Sequence, residues 1–150
     1  MRCSVETPFG GLTVFAVDGA ITSLRWGHSE RQDRTEVLTA ACAQLRAYGA
    51  GELKAFDLPL RVEGSPFQQE VCAAMAKIPF GETATYGDIA QELGASARAV
   101  GRACGANPIP IIIPCHRVLG AKGLTGYSGG AGVETKIALL RHEGAAGLLI

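Results

Sequence analysis

Asn107-Pro108-Ile109-Pro110-Ile111-Ile112-Ile113-Pro114-Cys115-His116-Arg117-Val118 sets a thiol beside an imidazole at the end of an apolar run. Prolines bound the run Ile109–Ile113 on both sides. Proline cannot donate to a strand ladder, so the run reads as a short buried strand or extended segment that pairs only at its edges. Pro114 fixes the backbone just before Cys115, so the thiol is expected where a rigid segment leaves the core. A basic residue, Arg117, follows at once. Thiolate is the nucleophilic form of cysteine, and nearby positive charge or a basic partner populates it. A free cysteine is more commonly a small buried hydrophobe, and adjacent side chains often diverge. The Cys-His pair needs support from its surroundings.

Upstream, Thr85 to Ala106 reads as two short helices. Thr85 caps the first, with Asp88 as capping-box partner, and Ile89, Ala90 and Leu93 form its inner face. Gly94-Ala95 makes a turn, Ser96 caps the second helix, and Gly105 ends it. A helix pair with a glycine turn suggests helix-turn-helix, although any small-residue helix pair has the same pattern. The second helix carries Ala95, Ala97, Ala99, Gly101 and Ala103, with Arg98 as its projecting group. A major-groove reader presents Arg, Asn or Gln to base edges. Small residues instead permit close approach to a narrow groove.

Gly64-Ser65-Pro66 marks a boundary. Phe67 to Lys77 is expected to be a helix with Phe67, Val71, Ala74, Met75 and Ile78 inward. Before the boundary, Leu12–Val17 and Ile21–Trp26 are strand-like, with Asp18-Gly19 as hairpin signal. Glu36 to Tyr48 is helical, with Val37, Ala41, Leu45 and Tyr48 on one face. Nothing in residues 1–64 looks catalytic; His28 reads as a surface loop residue and Trp26 as a core or domain-contact residue. Gly120 to Gly132 is a glycine-rich loop. Val133 to His142 is a final helix with Val133, Ile137 and Leu140 inward, and Glu143 and Gly144 at its end.

The 150 residues, 47% hydrophobic and 19% charged, describe a globular chain. No stretch approaches the roughly 20 apolar residues of a membrane span, and Met1–Glu6 has no signal-peptide hydrophobic region. Five cysteines (3, 42, 72, 104, 115) at irregular spacing, with no C-x-x-C, argue against a disulfide framework or zinc ribbon and for a reduced, cytoplasmic protein. The net charge is zero, but the stretch from Gly94 to Gly132 holds four basic residues (Arg98, Arg102, Arg117, Lys122) and no acidic one. A local basic face of this kind can meet phosphate.

The stretch from Asn107 to Val118 resembles the signature of the O6-alkylguanine-DNA alkyltransferases, the methylated-DNA–protein-cysteine methyltransferases. Further blocks follow the family in order: Pro66-Phe67-Gln68 with Val71, Ile78-Pro79-Phe80-Gly81-Glu82-Thr83, Tyr86-Gly87-Asp88-Ile89-Ala90, Arg98-Ala99-Val100-Gly101, and Gly126-Tyr127-Ser128-Gly129-Gly130 with Lys136, Leu139-Leu140 and Glu143-Gly144. The likeness is dense over residues 65–144 and loose before. Cys72 departs from it, standing where the family often carries Trp, which bears on packing.

The resemblance implies an α/β (α+β) fold. Residues 1–64 would form a small N-terminal α/β structural domain with a hairpin-containing sheet. Residues 65–150 would form a mainly helical domain that binds DNA through the helix-turn-helix and transfers the alkyl group. The implied activity is direct, irreversible, single-turnover transfer of an alkyl group from O6-alkylguanine, and from O4-alkylthymine, to the protein's own cysteine. By carry-over, Cys115 is nucleophile and acceptor, His116 the general base acting through a water, and Glu143 a buried carboxylate that holds His116. Tyr86 would donate a hydrogen bond or proton to the departing guanine. Arg98 would be an arginine finger inserted from the minor groove. Ser128 and backbone near Cys115 and Val118 would read the guanine edges, Tyr127 would wall the pocket, and Asn107 would tie the helix-turn-helix to the active-site segment. Gly101 and Gln68 join the DNA- or substrate-binding set. No cofactor is required, and no Cys/His set matches the structural zinc of some relatives. The expected partner is double-stranded DNA carrying alkylated guanine, bound by a monomer, with no membrane association. A regulator with Cys115 as sensor, or a thiol hydrolase, would need sequence-specific base readers or repeated turnover, respectively.

Overall fold

The computed structural model describes residues 1–121, 129–130 and 132–145. Strands β1 (Arg2–Thr7), β2 (Gly10–Val17) and β3 (Ala20–Trp26) form an antiparallel sheet in chain order. The β2–β3 turn is Asp18-Gly19, both at positive φ, as a tight hairpin turn requires. Helix α1 (Glu36–Gly49), capped by the Thr35 hydroxyl on the Leu38 amide, packs on this sheet. Its buried face is Leu38, Ala41, Cys42, Leu45 and Tyr48; Val37, expected inward, is only half-buried because the stripe centres one residue later.

The rest of the chain is mainly helical. Helix α2 (Pro66–Ala76) starts at Ser65, with proline in its first turn, where a missing N–H costs nothing. Strand β4 (Ala84–Thr85) leads into α3 (Tyr86–Leu93), whose Thr85–Asp88 capping box forms as expected. Gly94, left-handed at φ 65°, ends α3, and Ser96 caps α4 (Ala97–Gly105). Helices α2, α3 and α4 pack against one another. A two-residue strand β5 (Val118–Leu119) pairs in parallel with β4, and α5 (Val133–Glu143) ends at left-handed Gly144. No helix among the described residues is long and apolar enough to cross a membrane.

Two expectations need correction. Val133 is 42% exposed, and α5 instead buries Thr135, Lys136, Leu139, Leu140 and Glu143. Leu140 is buried as expected and Ile137 half-buried, but three of those five are polar, so apolar periodicity alone misses most of the buried face. Ile109–Ile113 is not a strand. The Ile112 amide donates to the Pro110 carbonyl at 2.9 Å around Ile111, whose φ is 71°. The Cys115 amide donates to the Ile113 carbonyl at 2.8 Å around Pro114, at φ −81° and ψ 68°. These are two successive γ-turns, the first in the rare left-handed form. Prolines 108, 110 and 114 remove the donors a ladder would need, so the chain satisfies itself locally while the isoleucines stay buried.

This coiled segment is pinned from two sides. The Leu24 amide of β3 donates to the Pro108 carbonyl at 2.9 Å. On the other side, Val118 and Leu119 pair with Ala84 and Thr85, one residue before Tyr86.

Candidate active site

A single 3₁₀ turn, Cys115–Arg117, carries the thiol, the imidazole and a guanidinium, all buried. His116 is fully buried, and its Nε2 lies 2.7 Å from Glu143 Oε2. A carboxylate can only accept, so Nε2 carries the hydrogen and the neutral ring presents its lone pair at Nδ1. That Nδ1 is buried and has no hydrogen-bond partner among the described residues. Arg117 clamps the same carboxylate from both sides, with Nε 2.8 Å from Oε1 and Nη2 3.0 Å from Oε2, and its Nη1 donates to the Ile78 carbonyl at 2.6 Å. A fourth donor arrives from α1: the Tyr48 hydroxyl, 2.6 Å from Oε2. A carboxylate at a helix C-terminus is disfavoured by the dipole; here one guanidinium and two further donors offset that.

Around this centre, Asn107 braces the two γ-turns. Its side-chain amide donates to the Ile113 carbonyl at 2.8 Å, and its oxygen accepts from the Ile109 amide at 3.0 Å. Lys136, fully buried on α5, donates from Nζ to the Val118 carbonyl at 2.7 Å and stands 5.9 Å over the Tyr86 ring. Cys115 lines a cavity of about 410 Å³ with Ser23, Arg25 and Trp26 of β3 and with Asn107 and Pro110. A larger cavity, about 650 Å³, opens between α1 and the β2–β3 turn, but no thiol or imidazole lines it, so volume alone does not choose the site.

Electrostatics separates the groups. Burial would raise the Glu143 carboxyl, but hydrogen bonds from His116, Arg117 and Tyr48 outweigh it and hold the group well below the usual carboxylate range. Burial pushes His116 below its ordinary value; Glu143 pulls it back only in part, and Arg117 and Lys136 add to the push. Burial also lowers Lys136 and raises two thiols that sense Cys115. Of these, Cys104 is pushed up to about 12 and Cys72 is raised as well, so both stay protonated at neutral pH.

Acid should therefore destabilise the fold in two steps. Below 6.5, the ordinary histidine value, the unfolded chain takes up a proton at position 116 that the folded chain resists, so stability falls with pH. Below 4.5, the ordinary glutamate value, the unfolded Glu143 protonates while the folded one stays ionised, and the loss steepens. Thermal melts across this range check it: the midpoint is expected to drop progressively as the pH falls below 6.5.

Two models of one family match almost the whole chain. They are the ribonuclease-like domain of 6-O-methylguanine DNA methyltransferase over residues 2–62 and the DNA binding domain of the same protein over residues 66–145. The chain belongs to the 6-O-methylguanine DNA methyltransferase family. The methylated-DNA–protein-cysteine methyltransferase of Mycolicibacterium paratuberculosis is 45% identical, covering 98% of this chain and 96% of the relative. The constitutive Bacillus subtilis protein of the same name is 41% identical, with 93% of each covered. The crystal structure of the Mycobacterium tuberculosis O6-methylguanine methyltransferase superposes with a TM-score of 0.84 at 42% identity, covering 99% of this chain and 95% of that one. The Mycobacterium tuberculosis protein in complex with DNA gives 0.85 at 45% identity, covering 95% and 92%.

Within this family member, His116 and Glu143 meet, and Cys115 directly precedes His116 on the same turn. Tyr86 is the first residue of α3 and faces Lys136. Arg98 is exposed on α4, with Gly101 one turn further along, where an added Cβ would meet nothing within 4 Å among the described residues. Gln68 turns inward: its amide donates to the Ala103 carbonyl at 2.8 Å and lies 3.5 Å from Cys72 Sγ, holding α2 on α4. The Val118 backbone is already engaged, its amide on the Cys115 carbonyl and its carbonyl on Lys136. Tyr127 and Ser128 lie outside the described residues.

Arg117 is a correction. The sequence sets it in a basic face toward phosphate, yet its guanidinium is buried against Glu143. From sequence Tyr48 reads only as an inward helix residue, and nothing in residues 1–64 looks catalytic. No local signal marks Tyr48: the contact joins residues 95 positions apart. Lys136 stands in the family blocks, but apolar periodicity gives no reason to bury a lysine beside Leu140.

Proposed function

We propose that this chain repairs DNA by moving the alkyl group of O6-alkylguanine, and of O4-alkylthymine, onto its own Cys115, once per molecule. The observation that carries the roles is the buried His116–Glu143 pair, 2.7 Å apart, immediately after a cysteine that lines a cavity. The carbon to be removed is saturated, so no tetrahedral oxyanion forms, and a soft thiolate is the best nucleophile a side chain offers. Cys115 gives its proton to His116 Nδ1 through one water. Sulfur bonds the alkyl carbon as the C–O6 bond breaks, and the electron pair stays with the guanine. Tyr86 delivers a proton to the departing ring and is reprotonated through the site, so in sum the thiol hydrogen ends on guanine. The thioether has no leaving group to regenerate the thiol, and the balance closes without a cofactor.

The target atom is inaccessible inside a duplex, so the nucleotide must be flipped out. The M. tuberculosis relative was solved with DNA; for this chain α4 is the element we set in the minor groove, with Arg98 entering where the base leaves. By resemblance, Ser128 reads the guanine edge and Tyr127 forms the wall. Residues 1–64 serve as the structural unit and 65–150 as the DNA-binding and transfer unit. None of the five cysteines is in a disulfide, which suits a reducing compartment, and we assign the chain to the cytoplasm, acting as a monomer.

Gly101→Ala tests the groove contact. Alanine favours a helix over glycine by about 1 kcal/mol, and nothing among the described residues opposes the methyl. The expected result is a higher melting midpoint together with weaker duplex binding by titration. Unchanged binding would move the DNA off this face of α4. The function itself is tested by titrating the protein with duplex containing O6-methylguanine. Transfer should stop near one equivalent and vanish in Cys115→Ala; continued turnover would show a hydrolase instead.

A further inference from the structure

We propose that Tyr48, on α1 of the N-terminal sheet-and-helix unit, is a positioning residue for alkyl transfer, its hydroxyl tempering the Glu143 carboxylate that holds His116. The inference rests on the transfer reading above.

The geometry is specific. Glu143 Oε2 accepts from three donors: Tyr48 Oη at 2.6 Å, His116 Nε2 at 2.7 Å and Arg117 Nη2 at 3.0 Å. The tyrosine ring cannot swing away. It is 1% exposed and stands against Phe56 at 5.4 Å, Phe9 at 5.9 Å and Phe80 at 6.3 Å between centroids. Its own carbonyl meets His142 Nε2 at 2.6 Å, so two consecutive residues of α5 rest on one residue of α1. Burial, then the adjacent carboxylate charge, raise the phenol far above neutrality, so the hydroxyl remains a donor.

A carboxylate that accepts a further hydrogen bond is a weaker base toward its other partners. Tyr48 therefore reduces the pull of Glu143 on the His116 proton without adding charge. The ionisable groups around the imidazole are Glu143 and Lys136 from α5, Arg117 and Cys115 from its own turn, and Tyr48 and His142 beyond the carboxylate. Arg117 and Lys136 push the same way as Tyr48, toward a neutral ring. Only the neutral ring can accept the Cys115 proton, so Tyr48 extends the working range of the base toward acid. The N-terminal unit thus acts on the chemistry as well as on the fold.

The test is the pH dependence of single-turnover transfer to Cys115, from duplex containing O6-methylguanine, across the range in which histidine titrates. Tyr48→Phe keeps the ring and removes one oxygen. Its acid limb is expected to move to higher pH by about half a unit, which is roughly threefold in rate at the foot of the limb, with the plateau nearly unchanged. Phe56→Leu loosens the ring packing and keeps the hydroxyl; it should lower the melting midpoint and leave the limb in place. If Tyr48→Phe does not fold, 3-fluorotyrosine introduced at position 48 alone, a stronger donor, should move the limb to lower pH. An unmoved limb in the phenylalanine or fluorotyrosine protein, or a uniform loss at every pH, overturns the inference and leaves the transfer reading intact. Absence of transfer by the unaltered protein overturns both.

Discussion

Glu143→Ala is expected to lower the melting midpoint by about 10 °C and to slow alkyl transfer by about a hundredfold or more. The carboxylate is the shared acceptor of His116, Arg117 and Tyr48, and every one of those contacts is buried. Removing it leaves the Arg117 guanidinium with the Ile78 carbonyl as its remaining acceptor among the described residues, inside the protein. Leaving one partner of a buried ion pair uncompensated costs about 3–5 kcal/mol. For a chain of this size each kcal/mol is about 2–4 °C of midpoint. The rate falls for a separate reason: without an acceptor on Nε2, the ring no longer has its tautomer and orientation fixed, and Nδ1 loses its aim. Glu143→Gln keeps the shape and drops the charge, so it should cost less stability than alanine. Thermal melts and single-turnover assays on the two variants check both halves. A Glu143→Ala protein that melts like the parent would show that Arg117 does not depend on this carboxylate.

Lys136→Met should separate what Glu143→Ala combines. The ammonium is fully buried, and among the described residues no carboxylate lies within salt-bridge range of it. Burial lowers its proton affinity, while Cys115 and Cys104 act on it in the opposite sense. Methionine has nearly the same length and carries no desolvation cost, so it relieves one penalty. It also leaves the Val118 carbonyl without its donor, worth about 1–3 kcal/mol the other way. The two terms oppose each other, and the midpoint is expected to shift little. Transfer should slow by about a hundredfold, as for loss of one pre-organised electrostatic contact in a dry site. The lost charge is one that favours thiolate at Cys115, and it stands over the Tyr86 ring. A parallel loss of midpoint and rate would make Lys136 structural.

What sequence reveals about this molecule follows from what each signal measures. Caps are local, a side chain bonding an amide three residues on, so Thr85, Asp88 and Ser96 are legible and the helix pair with them. The Cys115-His116 pair and a glutamate before Gly144 are legible through family likeness, and His116 and Glu143 do meet. Apolar runs report burial, not hydrogen-bond path: Ile109–Ile113 is buried as expected, yet three prolines route it into γ-turns instead of a strand. Charge counts fail where a charge is buried with its partner, as at Arg117. Contacts across 95 residues, as between Tyr48 and Glu143, leave no trace in either element alone.

Where the methyl group lands bears most directly on the whole mechanism. The protein is incubated with duplex containing O6-methylguanine, digested, and its cysteine peptides are weighed. The expected result is one methyl in place of one hydrogen on Cys115, with the raised thiols Cys72 and Cys104 unmodified. A methyl on any other residue, or none on Cys115 after guanine has been restored, would contradict it.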